Sequence, residues 1–186
     1  MTNPLLQAWQ TPFGMPPFES IQASHFEEAF ESALKQHQAE IDAISNNPEP
    51  PSFDNTLLAL EASGDLLNQT SNVFFNLSAS HSSPEIQSIE RNLAPKLAAH
   101  SAALYLNAPL FERIDALNQA KHQLALDAES IRLIERYHLD FVRAGAKLQA
   151  QDRAIFAQNS EKLRSEEHTS VLQSLAYLVC RLLLEK

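Results

Sequence analysis

The chain has 186 residues, of which 44% are hydrophobic and 20% are charged, and its formal net charge is −9. This size and composition fit a globular domain with its own core and argue against intrinsic disorder. The net negative charge argues against a nucleic-acid partner, because phosphate binding needs a clustered basic surface. Only three glycines occur, and Ala, Leu, Gln and Glu are frequent. The composition therefore predicts an all-α fold.

The charges are unevenly distributed along the chain. Residues 1–90 contain twelve acidic side chains and a single basic one, Lys35, whereas residues 91–163 contain eight acidic and ten basic side chains. The acidic half is either a solvated surface that aids solubility or an acidic wall that selects cationic ligands. Both interpretations remain open from the charges alone.

Targeting signals are not evident. The first twenty residues lack the basic region, apolar core and cleavage site of a secretory signal. No apolar run in the sequence approaches a length of about 18 residues, which a helix needs to cross a bilayer. The single cysteine, Cys180, excludes an internal disulfide and a cysteine-based zinc site. We therefore expect a cytoplasmic protein with no membrane partner.

The chain opens with a proline-punctuated segment, residues 1–23, which we expect to be extended. Pro12, Pro16 and Pro17 prevent a regular helix there. The segment also carries apolar side chains that we expect to pack on the core: Leu5, Leu6, Trp9, Phe13 and Phe18.

From Ser24 onward the sequence predicts about six helices, within a helical region at 24–163. Ser24 with Glu27 is a capping-box pattern that opens the first helix. The stretch from Phe53 to His81 has no proline and has apolar residues at helical spacing, so it predicts one long central helix with Asp54 as its N-cap.

Four later helices follow the central stretch. Pro95 lies inside the first of them and is expected to kink it, and the third is expected to end near Gly145. Their predicted starts are Ser83 before Pro84, Asn107, Asp127 and about Leu148.

No catalytic, cofactor-binding or metal-binding residue can be assigned from the sequence. Seven histidines are present, but His-Glu-x-x-His, the helical zinc motif, does not occur. Glu135 and His138 are three residues apart, as are His25 and Glu28. Without further ligands, surface or capping roles are expected for both pairs. A Gly-x-Ser-x-Gly elbow and a glycine-rich phosphate loop are also absent.

The last residues, 164–186, resemble a translated sequencing adapter and not a protein family. The segment RSEEHTS, from Arg164 to Ser170, is what adapter codons encode, and the end from Tyr177 to Lys186 also matches, whereas Val171 departs from the pattern. We therefore expect the genuine sequence to end near Leu163 and residues 164–186 to be an artefactual tail.

Several stretches together resemble a known family, the zinc metallopeptidases related to thimet oligopeptidase, and within it the bacterial peptidyl-dipeptidase branch. The resemblance covers roughly Asn3 to Leu163, because several long stretches occur in the same order and at the same spacing as in the family. The stretches are FDNTLLALEASGDLL, VFFNLSASHSSPEIQ, LYLNAPLFERIDAL and LDAESIRLIERYHLDFVRAGAKL.

The resemblance implies an enzyme that releases dipeptides from the C-terminus of short peptides. It also implies one zinc ion as cofactor, held by His-Glu-x-x-His and a later glutamate, all beyond this chain. This chain would form only an N-terminal channel wall, inactive alone and without its own cofactor. Two alternatives stay open: an oligopeptidase A-like endopeptidase of the same family, and a non-enzymatic helical module that binds a partner helix.

Overall fold

The structure, a computed structural model, describes residues 2–148. Residues 1–144 form one compact unit and residues 145–186 a second, of which only 145–148 are described. The predicted sixth helix beyond Leu148, the boundary at Leu163, Cys180 and the adapter-like tail therefore lie outside the described residues.

The all-α prediction is confirmed, since residues 2–148 contain helices and turns and no strand. Three short 3-10 turns, Pro4–Leu6, Pro12–Gly14 and Phe18–Ser20, lie in the opening segment, so the expectation that it is extended is wrong for these residues. Another 3-10 turn, Lys121–Gln123, follows the fifth α-helix. A π-helical turn, Phe53–Leu58, leads into the second helix. The α-helices are α1 His25–Ser45, α2 Ala59–Glu61, α3 Asp65–Ser80, α4 Pro84–Tyr105, α5 Ala108–Ala120 and α6 Ala128–Arg143.

Three predicted helix caps are confirmed. The side chains of Ser83, Asn107 and Asp127 accept hydrogen bonds from backbone N–H groups in the first turns of α4, α5 and α6. Each cap satisfies a donor that the helix itself leaves unpaired. α4 continues as one element through Pro95.

Two predicted caps are wrong. Ser24 makes no side-chain capping bond, because its backbone is already helical, with φ −59° and ψ −20°. At the central segment the N-cap is Ser52 and not Asp54. The Ser52 hydroxyl accepts from the N–H of Asn55, and the Asn55 side chain accepts from the N–H of Ser52 in return. A reciprocal pair satisfies two donors, whereas Asp54 would satisfy one.

The predicted single central helix is also wrong. Phe53–His81 is interrupted between α2 and α3, where Gly64 has a left-handed backbone with φ 77°. A side chain is disfavoured in this conformation, and a Cβ at Gly64 would lie 3.2 Å from ring atoms of His37. The N–H of Gly64 donates to the Glu40 carboxylate at 2.7 Å, so α1 fixes the position of the break.

The core between α1 and α3 is aromatic. Phe26 and Phe30, one turn apart on α1, pack edge to face against Phe74 of α3, with ring centroids 5.0 and 5.5 Å apart. All three rings are fully buried. Six further buried residues complete the cluster: Leu5 of the opening segment, Ala29 of α1, Val73 of α3, and Ile86, Ile89 and Leu93 of α4.

Only part of the opening segment packs on this core. Leu5, Leu6 and Trp9 contact it, as predicted. Asn3 anchors it, because its side-chain amide donates to the carbonyl of His25 at 2.8 Å and to the Glu28 carboxylate at 3.0 Å. The expectation that Phe13 and Phe18 are core residues is wrong. Phe13 occupies a turn with φ 60° and is fully exposed, and Phe18 is 41% exposed.

Candidate functional site

A cavity of about 230 Å³ lies at the end of the short helix α2, where residues of α1, α4 and α6 also line it. Polar and aromatic side chains from positions far apart in the sequence face it. The residues that determine its chemistry are His37, Glu61, Ser63, Tyr105, Tyr137 and Phe141.

The aromatic wall of the cavity comes from α4 and α6. Tyr137 and Phe141 are four residues apart, so they share one face of α6. The rings of Phe141 and Tyr105 meet edge to face with centroids 5.1 Å apart. The Tyr137 hydroxyl donates to the Glu61 carboxylate at 2.6 Å. Burial, followed by this bond to Glu61, raises the pKa of Tyr137, so its hydroxyl stays protonated at neutral pH.

Two histidines meet beside the cavity. Nε2 of His100 on α4 lies 2.9 Å from Nδ1 of His37 on α1. Burial lowers the pKa of both imidazoles, and the neighbouring His100 lowers that of His37 further, whereas Glu40 opposes the change. Both rings are therefore neutral at pH 7, and one N–H bridges the two nitrogens.

Ser63 lies next to this pair but is not an activated nucleophile. Its hydroxyl donates to the carbonyl of Leu60 at 2.7 Å, and its oxygen lies 3.3 Å from Nε2 of His37. Because the hydroxyl proton is directed to the carbonyl, His37 must act as the donor in its contact with Ser63. Nucleophilic catalysis needs the opposite arrangement, with the imidazole accepting the serine proton.

The buried cation Arg113 on α5 stabilises the loop before the π-helical turn. Its guanidinium donates to the carbonyls of Asn47 and Glu49 and to the side chains of Asn55 and Thr56. These partners are neutral and belong to the protein framework, so Arg113 has a structural role. The sequence carried a signal for it, because an arginine on the apolar face of α5, beside Ile114, needs buried acceptors.

The two pairs noted in the sequence do not share a ligand. Glu135 binds Lys121 at 2.9 Å, and this contact, followed by Arg132, lowers the pKa of the Glu135 carboxyl. His138 instead contacts the Asp115 carboxylate at 2.8 Å. Glu135 and His138 therefore bind different partners, Lys121 and Asp115, and do not face a common ligand.

His25 and Glu28, the second pair, also bind different partners. Nδ1 of His25 accepts from the N–H of Gln22 at 3.1 Å, while Glu28 accepts from Asn3. Within residues 2–148 no group of three or more His, Cys, Asp or Glu side chains is arranged to hold a metal ion. In the same residues no helix is both long and apolar enough to cross a membrane.

Comparison with known proteins gives closely related sequences, although no family model matches the chain. The chain is 45% identical over 153 residues to dipeptidyl carboxypeptidase of Salmonella typhimurium, a match that covers 82% of this chain and 22% of that protein. The Escherichia coli dipeptidyl carboxypeptidase is 44% identical over 152 residues, with the same coverage. The chain is homologous to part of dipeptidyl carboxypeptidase.

Oligopeptidase A of Salmonella typhimurium is a more distant relative, 24% identical over 163 residues that cover 88% of this chain and 23% of that protein. The resemblance to the peptidyl-dipeptidase branch is thus confirmed, with oligopeptidase A further away. The chain spans about a fifth of the length of the curated relatives it matches, 22% for both dipeptidyl carboxypeptidases.

Proposed function

We propose that this chain is the helical, non-catalytic part of a zinc peptidyl-dipeptidase, an enzyme that releases dipeptides from the C-terminus of short peptides. The observation that carries the proposal is 45% identity over 153 residues to a dipeptidyl carboxypeptidase. The zinc ion would be held by residues outside this sequence, since the His-Glu-x-x-His motif of the family does not occur in it. When bound, zinc would activate water for peptide hydrolysis.

The geometry agrees with a structural contribution from this chain. The Ser63 hydroxyl is directed to the Leu60 carbonyl, and His37 is bonded to His100. Arg113 is occupied by framework acceptors. In the described part of the chain these groups support the fold and do not form a nucleophile with its base, so the reacting groups are proposed to lie elsewhere in the full-length enzyme.

A chimeric enzyme tests the proposal. The aligned 152 residues of the Escherichia coli dipeptidyl carboxypeptidase are replaced by the matching stretch of this chain. With an N-acylated tetrapeptide, we expect zinc-dependent release of the C-terminal dipeptide, abolished by a chelator and restored by zinc. The isolated 186-residue chain serves as the control and should release none. A folded, zinc-containing chimera that leaves the peptide intact would contradict the proposal.

The second candidate is an oligopeptidase A-like endopeptidase, which the 24% identity to oligopeptidase A favours. The two candidates differ in their products. A longer acylated peptide gives successive loss of two residues from the C-terminus under the first proposal, whereas an endopeptidase cuts at internal bonds. Because this chain is proposed to supply no reacting group, each chimera should give the products of its parent, as read by mass spectrometry. Equivalent chimeras in both parent enzymes therefore distinguish the candidates by which parent remains active with the stretch in place.

A further inference from the structure

The cavity beside α2 has the chemistry of a cation site. Its lining includes the half-buried rings of Tyr105 and Tyr137, backed by the fully buried ring of Phe141, and Glu61 contributes a carboxylate. Aromatic faces attract cations through the negative potential above the ring, and a carboxylate supplies the opposing charge. Among residues 2–148 the cavity lining contains no lysine or arginine, and the lining His37 is neutral at pH 7.

The carboxylate is held in place before any ligand arrives. Tyr137 donates to one oxygen of the solvent-exposed Glu61 at 2.6 Å, and this bond directs the carboxylate towards the edge of the cavity. Ordering the acceptor in advance lowers the entropic cost of binding. Asp140 and Glu40 add negative charge nearby, since Asp140 acts electrostatically on Tyr137 and Glu40 acts on His37.

The rest of the wall is apolar or neutral. Leu60 and Leu104 contribute aliphatic surface, and Asn68 contributes an amide. A volume of about 230 Å³ accommodates a short carbon chain but not a folded partner. The apolar surface would contact the carbon atoms of a ligand while its charged end meets Glu61.

We propose that this cavity binds a primary ammonium group carried on a short apolar stem, with Glu61 as the counter-ion and the tyrosine rings as cation–π partners. Of the two interpretations of the acidic half, this proposal applies the selection of a cation, at one place. It does not depend on peptidase activity, because binding is measured on the chain itself. The ammonium group belongs either to a small aliphatic amine or to the N-terminus of a short peptide.

The test uses the 186-residue chain and chemical-shift titrations of the Asn68 side-chain amide. Pentylamine is the probe, and pentanol is its neutral counterpart of equal length. We expect saturable binding of pentylamine and none of pentanol. Trialanine with a free or an acetylated N-terminus identifies the source of the ammonium group. Binding of only the free form assigns the site to peptide N-termini, and binding of pentylamine without either peptide assigns it to small amines.

Glu61→Gln removes the charge but keeps an acceptor for Tyr137, and it should weaken pentylamine binding about tenfold or more. Tyr137→Phe keeps the aromatic ring but removes the hydrogen bond to Glu61. We expect it to weaken pentylamine binding less than Glu61→Gln does. The matched control is Glu19→Gln, an exposed acid in the opening segment, which should bind like the parent chain. Equal binding by the parent and Glu61→Gln, equal binding of pentanol, or no saturable binding of pentylamine would each overturn the proposal.

Discussion

Two regions of this molecule are built in different ways. The core between α1 and α3 consists of apolar side chains at helical spacing, with Phe26 and Phe30 closing on Phe74. The cavity side consists of polar contacts between distant positions, such as Tyr137 with Glu61 across 76 residues of sequence. Apolar periodicity thus decides which helices pack together, while individual polar pairs decide where a ligand can bind.

The largest effect is expected from breaking the aromatic core. Phe74→Ala removes a fully buried ring that contacts rings on both turns of α1. We expect it to lower the free energy of unfolding by about 3–5 kcal/mol, because the cavity left behind is only partly refilled. Urea denaturation measures the loss. The control is Phe13→Ala, since Phe13 is fully exposed and its truncation should leave the midpoint unchanged.

A smaller effect is expected at the break between α2 and α3. Gly64→Ala forces a side chain into a left-handed backbone and against the His37 ring at 3.2 Å. We expect the free energy of unfolding to fall by about 2 kcal/mol, about half from backbone strain and the rest from overpacking against His37.

Gly14→Ala provides the matched control for this substitution. Gly14 also has a positive φ, of 65°, but an added Cβ would meet nothing within 4 Å. It should therefore cost only the strain component, about 1 kcal/mol. Equal losses in the two variants, measured by urea denaturation, would show that the contact with His37 has no energetic weight.

The smallest effect is a dependence of stability on pH. Burial lowers the pKa of His37 and His100 below the ordinary value of 6.5. As the pH falls through 6.5, the unfolded chain takes up protons that the folded pair resists, so the free energy of unfolding should decrease until the folded-state pKa values are reached. Glu40 stays charged in this window, because the Gly64 N–H, foremost among its partners, lowers its pKa.

Urea midpoints at about pH 7.5 and about pH 5.5 measure this dependence. The double variant His37→Gln with His100→Gln should reduce the difference between the two midpoints. His122→Gln replaces an exposed histidine and should retain the full difference. If the double variant keeps the parent slope, the histidine pair does not resist protonation.

Much of the fold could be predicted from the sequence, because buried faces and caps are local patterns. The all-α fold and the caps at Ser83, Asn107 and Asp127 are examples. The break at Gly64 could not be predicted, because a lone glycine within a helical pattern acquires its left-handed backbone from contacts with α1. The Ser52 cap was missed because the reciprocal partner was asparagine instead of glutamate.

The candidate site was largely invisible in the sequence. Tyr137 and Glu61 lie 76 residues apart in the chain, so no local spacing connects them. The cavity forms only when α4 and α6 pack beside the α2 segment, which a linear pattern does not specify. The charge imbalance of residues 1–90 gave the one hint of cation binding.

The central claim is that this chain supplies framework and not reacting groups to a peptidyl-dipeptidase. The most direct measurement is the single-turnover rate of dipeptide release by the chimera that carries this chain's stretch in the Escherichia coli enzyme. We predict a rate within about tenfold of the parent enzyme, since the groups that react with the substrate are unchanged. A folded, zinc-loaded chimera whose rate equals that of the uncatalysed peptide would contradict the claim.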